Sequence, residues 1–270
     1  MSKLKKWIGV VVVLLVVGLG REARGGIISY YTFDETGGGI AHDSISSVDG
    51  ALQGGAAFVP GAGIQGGAVS LNRASGDLVD MGDNFAFTTG DLSIQVWVKL
   101  NAGDTSSSIP VAKHYTTVVA GYLLAIGDIG DGCGAASGQV HFYAAYPCSG
   151  NSSTVVNDGL WHQLVGVYDS TAQTASVYVD GQFQGSSSGG NTINPTPAST
   201  PFLAGGITVA GTPTNDFAGL IDELRIYDTA LTGPEVLSLY QTAEGTVPEP
   251  ASLALLGAGL LGLALLARRR

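Results

Sequence analysis

Bond cleavage needs acids, bases or nucleophiles at set spacings, and this sequence is poor in such sets. A retaining glycosidase requires two carboxylates about 5 Å apart, commonly carried as Glu-x-Asp-x-x-Glu. No such string occurs, and the glutamates between Ile27 and Val247 are Glu35, Glu223, Glu235 and Glu244. The four histidines, His42, His114, His141 and His162, stand far apart without metal-ligand spacing, so each reads as a packing or surface residue. Gly185-Ser186-Ser187-Ser188-Gly189 matches Gly-x-Ser-x-Gly, but a nucleophile elbow needs a strand before the serine and a helix after it. Here a Ser/Gly/Asn-rich stretch follows, so the match is read as composition. Cys133 and Cys148 are the only cysteines. In an exported chain an even count favours a bridge over two free thiols, tying the ends of a strand near Gln139 to Tyr146 and stabilising by about 3 kcal/mol on the loop-entropy account.

The charge is laid out by position. Lys3, Lys5, Lys6, Arg21, Arg24, Arg268, Arg269 and Arg270 crowd the two ends, whereas between Ile27 and Val247 only Arg73, Lys99, Lys113 and Arg225 are basic. All acids but Glu22 and Glu249 lie in that same stretch. The resulting negative field repels phosphate backbones and argues against nucleic acid as a partner, while it attracts divalent cations.

The ends point to a membrane. Residues 1–25 begin MSKLKKW and continue with an apolar run from about Ile8 to Leu19 before small residues. That run is too short for a bilayer core of about 30 Å and has the layout of a secretory signal. At the other end VPEPASLALLGAGLLGLALLARRR carries Pro248-Glu249-Pro250, an apolar segment 251–267 and three arginines. The arginines are retained on the cytoplasmic side, so the acidic middle is translocated. A plain anchor leaves the two prolines unexplained. The tail, residues 247–270, resembles the bacterial PEP-CTERM sorting signal. The resemblance implies recognition by an exosortase-type membrane enzyme, removal of the tail, and delivery of the chain from its membrane-tethered form to the cell surface or matrix. Prolines hold the motif extended and legible to a protease.

Between the ends, short apolar or alternating runs are divided by Gly, Asp, Asn and Ser. They predict strands at Ile28 to Phe33, Ala68 to Leu71, Leu78 to Met81, Leu92 to Leu100, Val111 to Lys113, Tyr122 to Ile126, Val140 to Tyr146, Trp161 to Tyr168, Ala175 to Val179, Phe202 to Ala204 and Leu220 to Tyr227. The pattern is that of an all-β antiparallel sandwich. Val179-Asp180-Gly181 reads as a hairpin turn, and Trp97 and Trp161 as core. Ser186 to Pro201 reads as a long surface loop. One helix is expected near the end, with Thr232 and Glu235 as a capping box and Pro234 in its first turn. The strand and helix after the loop are too small to fold alone, so 27–245 is read as one domain.

Four stretches then converge: YYTFDETGGGIAHDSISSVDGAL from Tyr30, DLSIQVWVKL from Asp91, DGLWHQLVGVYD from Asp158 with ASVYVDGQ from Ala175, and GLIDELRIYDTAL from Gly219. In this order they resemble the laminin-G-like, concanavalin A-like jelly roll. The resemblance implies two curved antiparallel sheets and a noncatalytic role in binding carbohydrate or protein. It also implies a structural calcium ion, whose carboxylate ligands here would be Asp43 and Asp222, with Asp34 as a further candidate. The chain departs from the family where Ser44, Ile45, Ser46 and Ser47 replace the glycine-bearing loop after the first aspartate. The alternative, that Asp43 caps a turn and Asp222 meets Arg225 or solvent, stays open.

The sequence therefore points to an exported binder of extracellular glycan or another matrix component. A structural matrix or adhesion protein is the alternative, and a polysaccharide hydrolase a more distant one. Tyr115, Tyr143 and Tyr146 are the aromatics that could stack on sugar rings.

Overall fold

The computed structural model describes residues 26–144, 148–188 and 192–245. The N-terminal segment 1–25, the sorting residues Pro248, Glu249 and Pro250, the apolar segment 251–267, and Tyr146 lie outside the described residues. Among the described residues no helix is long and apolar enough to cross a membrane.

In chain order the strands are β1 (Ile27–Tyr31), β2 (Ile40–Ala41), β3 (Gly50–Gln53), β4 (Ala57–Val59), β5 (Ala68–Leu71), β6 (Leu78–Asp80), β7 (Leu92–Leu100), β8 (Ser108–Tyr115) and β9 (Ala120–Ile126). There follow β10 (Val140–Tyr143), β11 (His162–Asp169), β12 (Thr174–Val179), β13 (Gln182–Ser188), β14 (Leu203–Ala204), β15 (Gly206–Val209), β16 (Thr212–Asn215) and β17 (Gly219–Tyr227), then helix α1 (Gly233–Ala243). The first sheet runs β13-β12-β11-β7-β17-β5-β4, with β1 also paired to β17. The second runs β10-β9-β8-β14-β6-β3-β2 and carries the β15–β16 hairpin beside β8.

Alternation decides which side chains meet between the sheets. Leu92, Ile94, Val96, Val98 and Leu100 of β7 enter the shared core with Val111 of β8, Leu124 of β9 and Phe142 of β10. Gly166 stands mid-strand in β11 because a Cβ there would run into the Phe142 ring. Trp97 is fully buried on the other face of β7, stacked on Tyr240 of α1 with ring centroids 5.6 Å apart.

β17 keeps Ile221, Leu224 and Ile226 in the core, although Ile221 and Leu224 have opposite parity. A bulge reconciles them: Asp222 pairs with Trp97 and Arg225 with Gln95, so two residues oppose one. Glu223 takes φ 53° there. Bulges of this kind re-aim side chains, and here the bulge sends Asp222 and Glu223 to two different sites.

The sandwich, the VDG turn and the capped helix agree with the sequence reading. Asp180 and Gly181 both have positive φ, as a two-residue hairpin turn requires, and Glu235 accepts hydrogen bonds from the backbone N–H and hydroxyl of Thr232, each 2.8 Å. Three expectations are corrected. Ser186 to Ser188 is not loop but the end of strand β13, whose backbone pairs with β12 although its side chains give no apolar signal. Trp161 is half-buried at the mouth of β11, outside the core. β8 extends well beyond Val111 to Lys113, through Pro110, which sits at an irregular register between Ser108 and Val111.

Candidate functional site

The outer face of the second sheet carries the polar groups that stand apart from the core. Ala112 of β8, Leu123 and Ala125 of β9 and Tyr143 of β10 form a separate apolar patch there with Ile109, Cys148 and Ile207. His114 and His141 share this face by parity. The 127–139 connection between β9 and β10 reaches over it, held by a disulfide between Cys133 and Cys148 with Cα atoms 5.8 Å apart. From the other side the β15–β16 hairpin reaches in, joined to β8 at Thr208 and Tyr115. Between them lies a cavity of about 260 Å³ lined by Ile109, His114, Asp131, Ile207, Val209 and Asp216, among others.

Its polar groups are left wanting. His114 is 6% exposed, its ring meets Tyr143 edge-on at 5.3 Å, and its Nδ1 has no partner. Nδ1 of His141 and the Thr208 hydroxyl, buried nearby but outside the cavity lining, have no partner either. Buried polar atoms without partners cost roughly 1–3 kcal/mol each and call for an explanation. Burial drives His114 down to about 4, with Asp131 pulling the other way, so the ring is neutral at pH 7. Asp131 Oδ2 lies 2.7 Å from His141 Nε2, and its Oδ1 accepts from the Cys133 N–H. Burial pushes the Asp131 carboxyl up, but the bond and charge of His141 and the backbone N–H outweigh it, leaving it below the usual range. Asp216 goes the opposite way, raised by burial against the pull of Arg73. No Lys or Arg lines the cavity.

A second constellation forms where the bulge aims Asp222. A Cβ placed on Gly63 would lie within 2.5 Å of Gly67 O, Gln65 O and Asp222 Oδ2 at once. Gly63 does not have positive φ, so glycine is needed there for space alone. Asp34 reaches the same loop, its Oδ1 accepting from the Gly67 N–H at 2.6 Å. Asp222 is fully buried, and burial raises its carboxyl to about 8, against the backbone N–H of Gln65. Two backbone carbonyls and one buried carboxylate thus crowd a single point of the loop, and oxygens of these kinds are the donors a calcium ion takes. The residues present fit that ion.

Asp43 sits elsewhere. Its carboxylate accepts from the Ser29 and Ser46 hydroxyls and from the backbone N–H groups of Tyr30, Ile45 and Ser46, which ties the first loop to β1. Among the described residues the one grouping of three metal-ligating side chains is Asp131, Cys133 and Cys148, and the disulfide occupies both sulfurs.

The outer face of the first sheet carries a closed network, although Trp97 Nε1 and the Gln163 amide elsewhere on that face have no partner. Arg225 bonds Glu223, Gln95 Oε1 at 2.8 Å and the Tyr30 hydroxyl at 2.8 Å, and lies 4.2 Å over the Tyr30 ring. Gln95 Nε2 in turn reaches Glu223 O at 3.0 Å. A groove of about 480 Å³ runs beside this network, lined by Ile27, Tyr30, Tyr227, Leu239 and Ala243 among others.

Of the glutamates considered from sequence, Glu35 accepts from the His42 N–H, Glu223 pairs with Arg225 and Glu235 caps α1, while Glu244 stands exposed at the end of that helix. Of the three tyrosines, Tyr143 is 3% exposed, too buried to stack on a ring, and Tyr115 is half-buried. Sequence reasoning missed the cavity's own set, His114, Asp131 and Asp216. They come from three distant segments, and only the pairing of the strands brings them together.

Residues 73–237 match the concanavalin A-like lectin/glucanases superfamily, and residues 246–270 match the PEP-CTERM protein-sorting motif. No curated protein sequence matches the chain. Among solved structures it is similar to domain 4 of an extracellular arabinanase from Geobacillus stearothermophilus, in complex with arabinotriose: TM-score 0.58, 21% identity, 80% of this chain and 98% of that one covered. A sialidase of Trypanosoma rangeli, in complex with a difluorinated nononic acid, gives TM-score 0.55 at 17% identity over 83% of this chain and 34% of its own. The binding domain of botulinum neurotoxin serotype G gives 0.54 at 14% identity over 80% and 51%. The chain thus spans about half of that toxin domain and a third of the sialidase, and at these identities the likeness is one of fold.

Proposed function

The chain belongs to the concanavalin A-like lectin/glucanase superfamily and ends in a sorting motif that implies export under an exosortase, and from these premises we propose that it is an exported module binding an extracellular glycan in the cavity on the outer face of the second sheet. One observation carries the reading: the cavity is lined by a nine-tenths buried histidine whose Nδ1 lacks a partner. A sugar hydroxyl supplies that partner, and the disulfide holds the covering loop in place before binding, which lowers the ordering cost. Arabinotriose in the arabinanase domain's complex is in keeping with a sugar ligand. Glycan-array binding of the exported chain tests the proposal. Saturable binding that His114→Leu abolishes is expected; binding untouched by His114→Leu places the site elsewhere.

The same module holds calcium in the Gly63–Gly67 loop, with Asp222 and Asp34 as side-chain ligands and the carbonyls of Gln65 and Gly67 beside them. The ion supplies the charge that the buried Asp222 lacks and pins the loop to β17. Asp43 is left out of this set because five donors already occupy its oxygens. Chelation is expected to lower the melting temperature and calcium to restore it, with Gly63→Ala blocking the restoration. A melting curve indifferent to chelator ends the calcium reading.

A hydrolytic reading has one observation in its favour. Asp131 and Asp216 line one cavity in environments that push their carboxyls apart, as acid and base partners require. Against it, Asp131 is already engaged by His141 and the Cys133 N–H. Release of reducing sugar from a bound polysaccharide, lost in Asp216→Asn, would decide for hydrolysis.

A further inference from the structure

We propose that this cavity selects glycans bearing free amino groups over neutral and carboxylated ones. The inference rests on the glycan-binding reading above and adds the chemistry of the ligand.

The charges of the cavity make the case. Two carboxylates, Asp131 and Asp216, line it, and no basic side chain does. The domain's cations offer little relief. Lys113 is buried and bonded to Asp83 at 2.7 Å and to the Thr200 carbonyl at 2.6 Å. Arg225 is committed to Glu223 on the opposite sheet. Lys99 lines a different pocket. Arg73 stands behind the wall, its guanidinium 3.7 Å from Asp104 and bonded to the Ser107 carbonyl at 3.1 Å and the Asp216 carbonyl at 3.5 Å, so its charge is shared with Asp104 and only partly offsets Asp216. A uronic acid entering here would bring a third carboxylate into a half-buried site whose lining has no basic side chain, and charge of one sign in such surroundings repels strongly. A neutral sugar would escape that repulsion, yet it would add no positive charge beside the two acids.

An ammonium group answers both. It brings three donors and one positive charge, which suits Asp131, whose two oxygens already accept one N–H and one histidine contact, and Asp216, which is held away from water. Hydrogen bonds from an ionised donor to a carboxylate are about twice as strong as neutral ones. The neutral His114 ring adds no competing charge, and its free Nδ1 is left for a neighbouring hydroxyl. The volume, about 260 Å³, is below the roughly 300 Å³ at which drug-sized pockets begin, so it admits one sugar ring and not a stretch of chain. Tyr143 is too buried to provide a stacking surface, so charge and hydrogen bonds set the preference.

The test is calorimetric titration of the full-length chain in mild detergent with three oligomers of equal length: glucosamine, N-acetylglucosamine and a uronic acid. Glucosamine oligomers are expected to bind at least tenfold more tightly than their acetylated counterparts, with no binding of the uronic acid. Asp216→Asn, nearly isosteric, should cut the preference severalfold while leaving the melting temperature and circular dichroism intact. Asp228→Asn, an exposed acid on the far sheet, should leave it unchanged. If the acetylated oligomer binds as tightly, and His114→Leu abolishes both, the amine preference is wrong and the cavity reading stands. If Asp228→Asn weakens binding as much as Asp216→Asn, the preference is mere attraction of a polycation to an acidic protein. If none of the oligomers binds and the glycan array is also blank, both readings fall together.

Discussion

The two outer faces of this sandwich are built from similar materials and finished differently. On the first sheet, Tyr30, Gln95, Glu223 and Arg225 satisfy one another in a closed network, and α1 covers the strands beside it. On the second sheet, His114 lines an open cavity with its Nδ1 unpartnered. The first sheet also buries unpartnered atoms, at Trp97 Nε1 and the Gln163 amide, so what sets His114 apart is the cavity beside its free nitrogen, through which a group from outside the chain can reach it.

Substitutions can break or sharpen that contrast, and the largest effect belongs to the closed face. Arg225→Met strands Glu223, whose side chain is 2% exposed, and should cost about 3–5 kcal/mol in denaturant unfolding, the usual penalty for breaking a buried pair. A loss below about 1 kcal/mol would mean the network is ornamental. Replacing Cys133 and Cys148 by serine opens a loop with a sequence separation of 15 and should cost about 3 kcal/mol. It should also abolish glycan binding, because the covering loop loses its anchor; retained affinity would detach the site from the disulfide.

Acidity separates the faces further. His114 titrates at about 4 in the folded chain and near 6.5 when unfolded, so the unfolded state binds more protons between those values. Its stability contribution is full above about pH 6.5 and is lost as the pH falls toward 4, a change of roughly 3 kcal/mol at most. His162 has the opposite sign. Burial lowers it, but Asp180 and Asp158, at 2.8 and 3.0 Å, more than compensate and raise it. Its contribution is full below about 6.5 and is lost as the pH rises through the folded value. Unfolding of His114→Leu across pH 4–7 should show a flatter acid limb than the parent, and His162→Asn a flatter neutral limb. Coincident curves would remove the histidine assignment. At neutral pH the smallest effect is expected: His114→Leu should change stability by under about 1 kcal/mol, since it removes an unpaired polar atom as well as a ring contact.

How much of this was legible in the sequence follows from the range of the interactions. The alternation in Leu92 to Leu100, the Asp180-Gly181 turn and the Thr232–Glu235 cap are local, so residue types a few positions apart state them. The bulge at Asp222 is not local. It arises because β7 and β5 both claim β17 in one register while Arg225 answers Gln95 in another. Strands β2, β3 and β4 escaped notice because glycine and exposed side chains hide two- to four-residue pairings, and β15 with β16 because a Gly-Thr-Pro run reads as loop. The family's motifs point to Asp222 and Asp34 directly. The glycines that receive them, Gly63, Gly66 and Gly67, carry no such mark, since their role depends on the oxygens around them.

Ile27, at the start of β1, and Ala243, at the end of α1, line the same groove on the first sheet. The described chain therefore enters and leaves the domain on one side of the sandwich, on the sheet opposite the histidine-lined cavity.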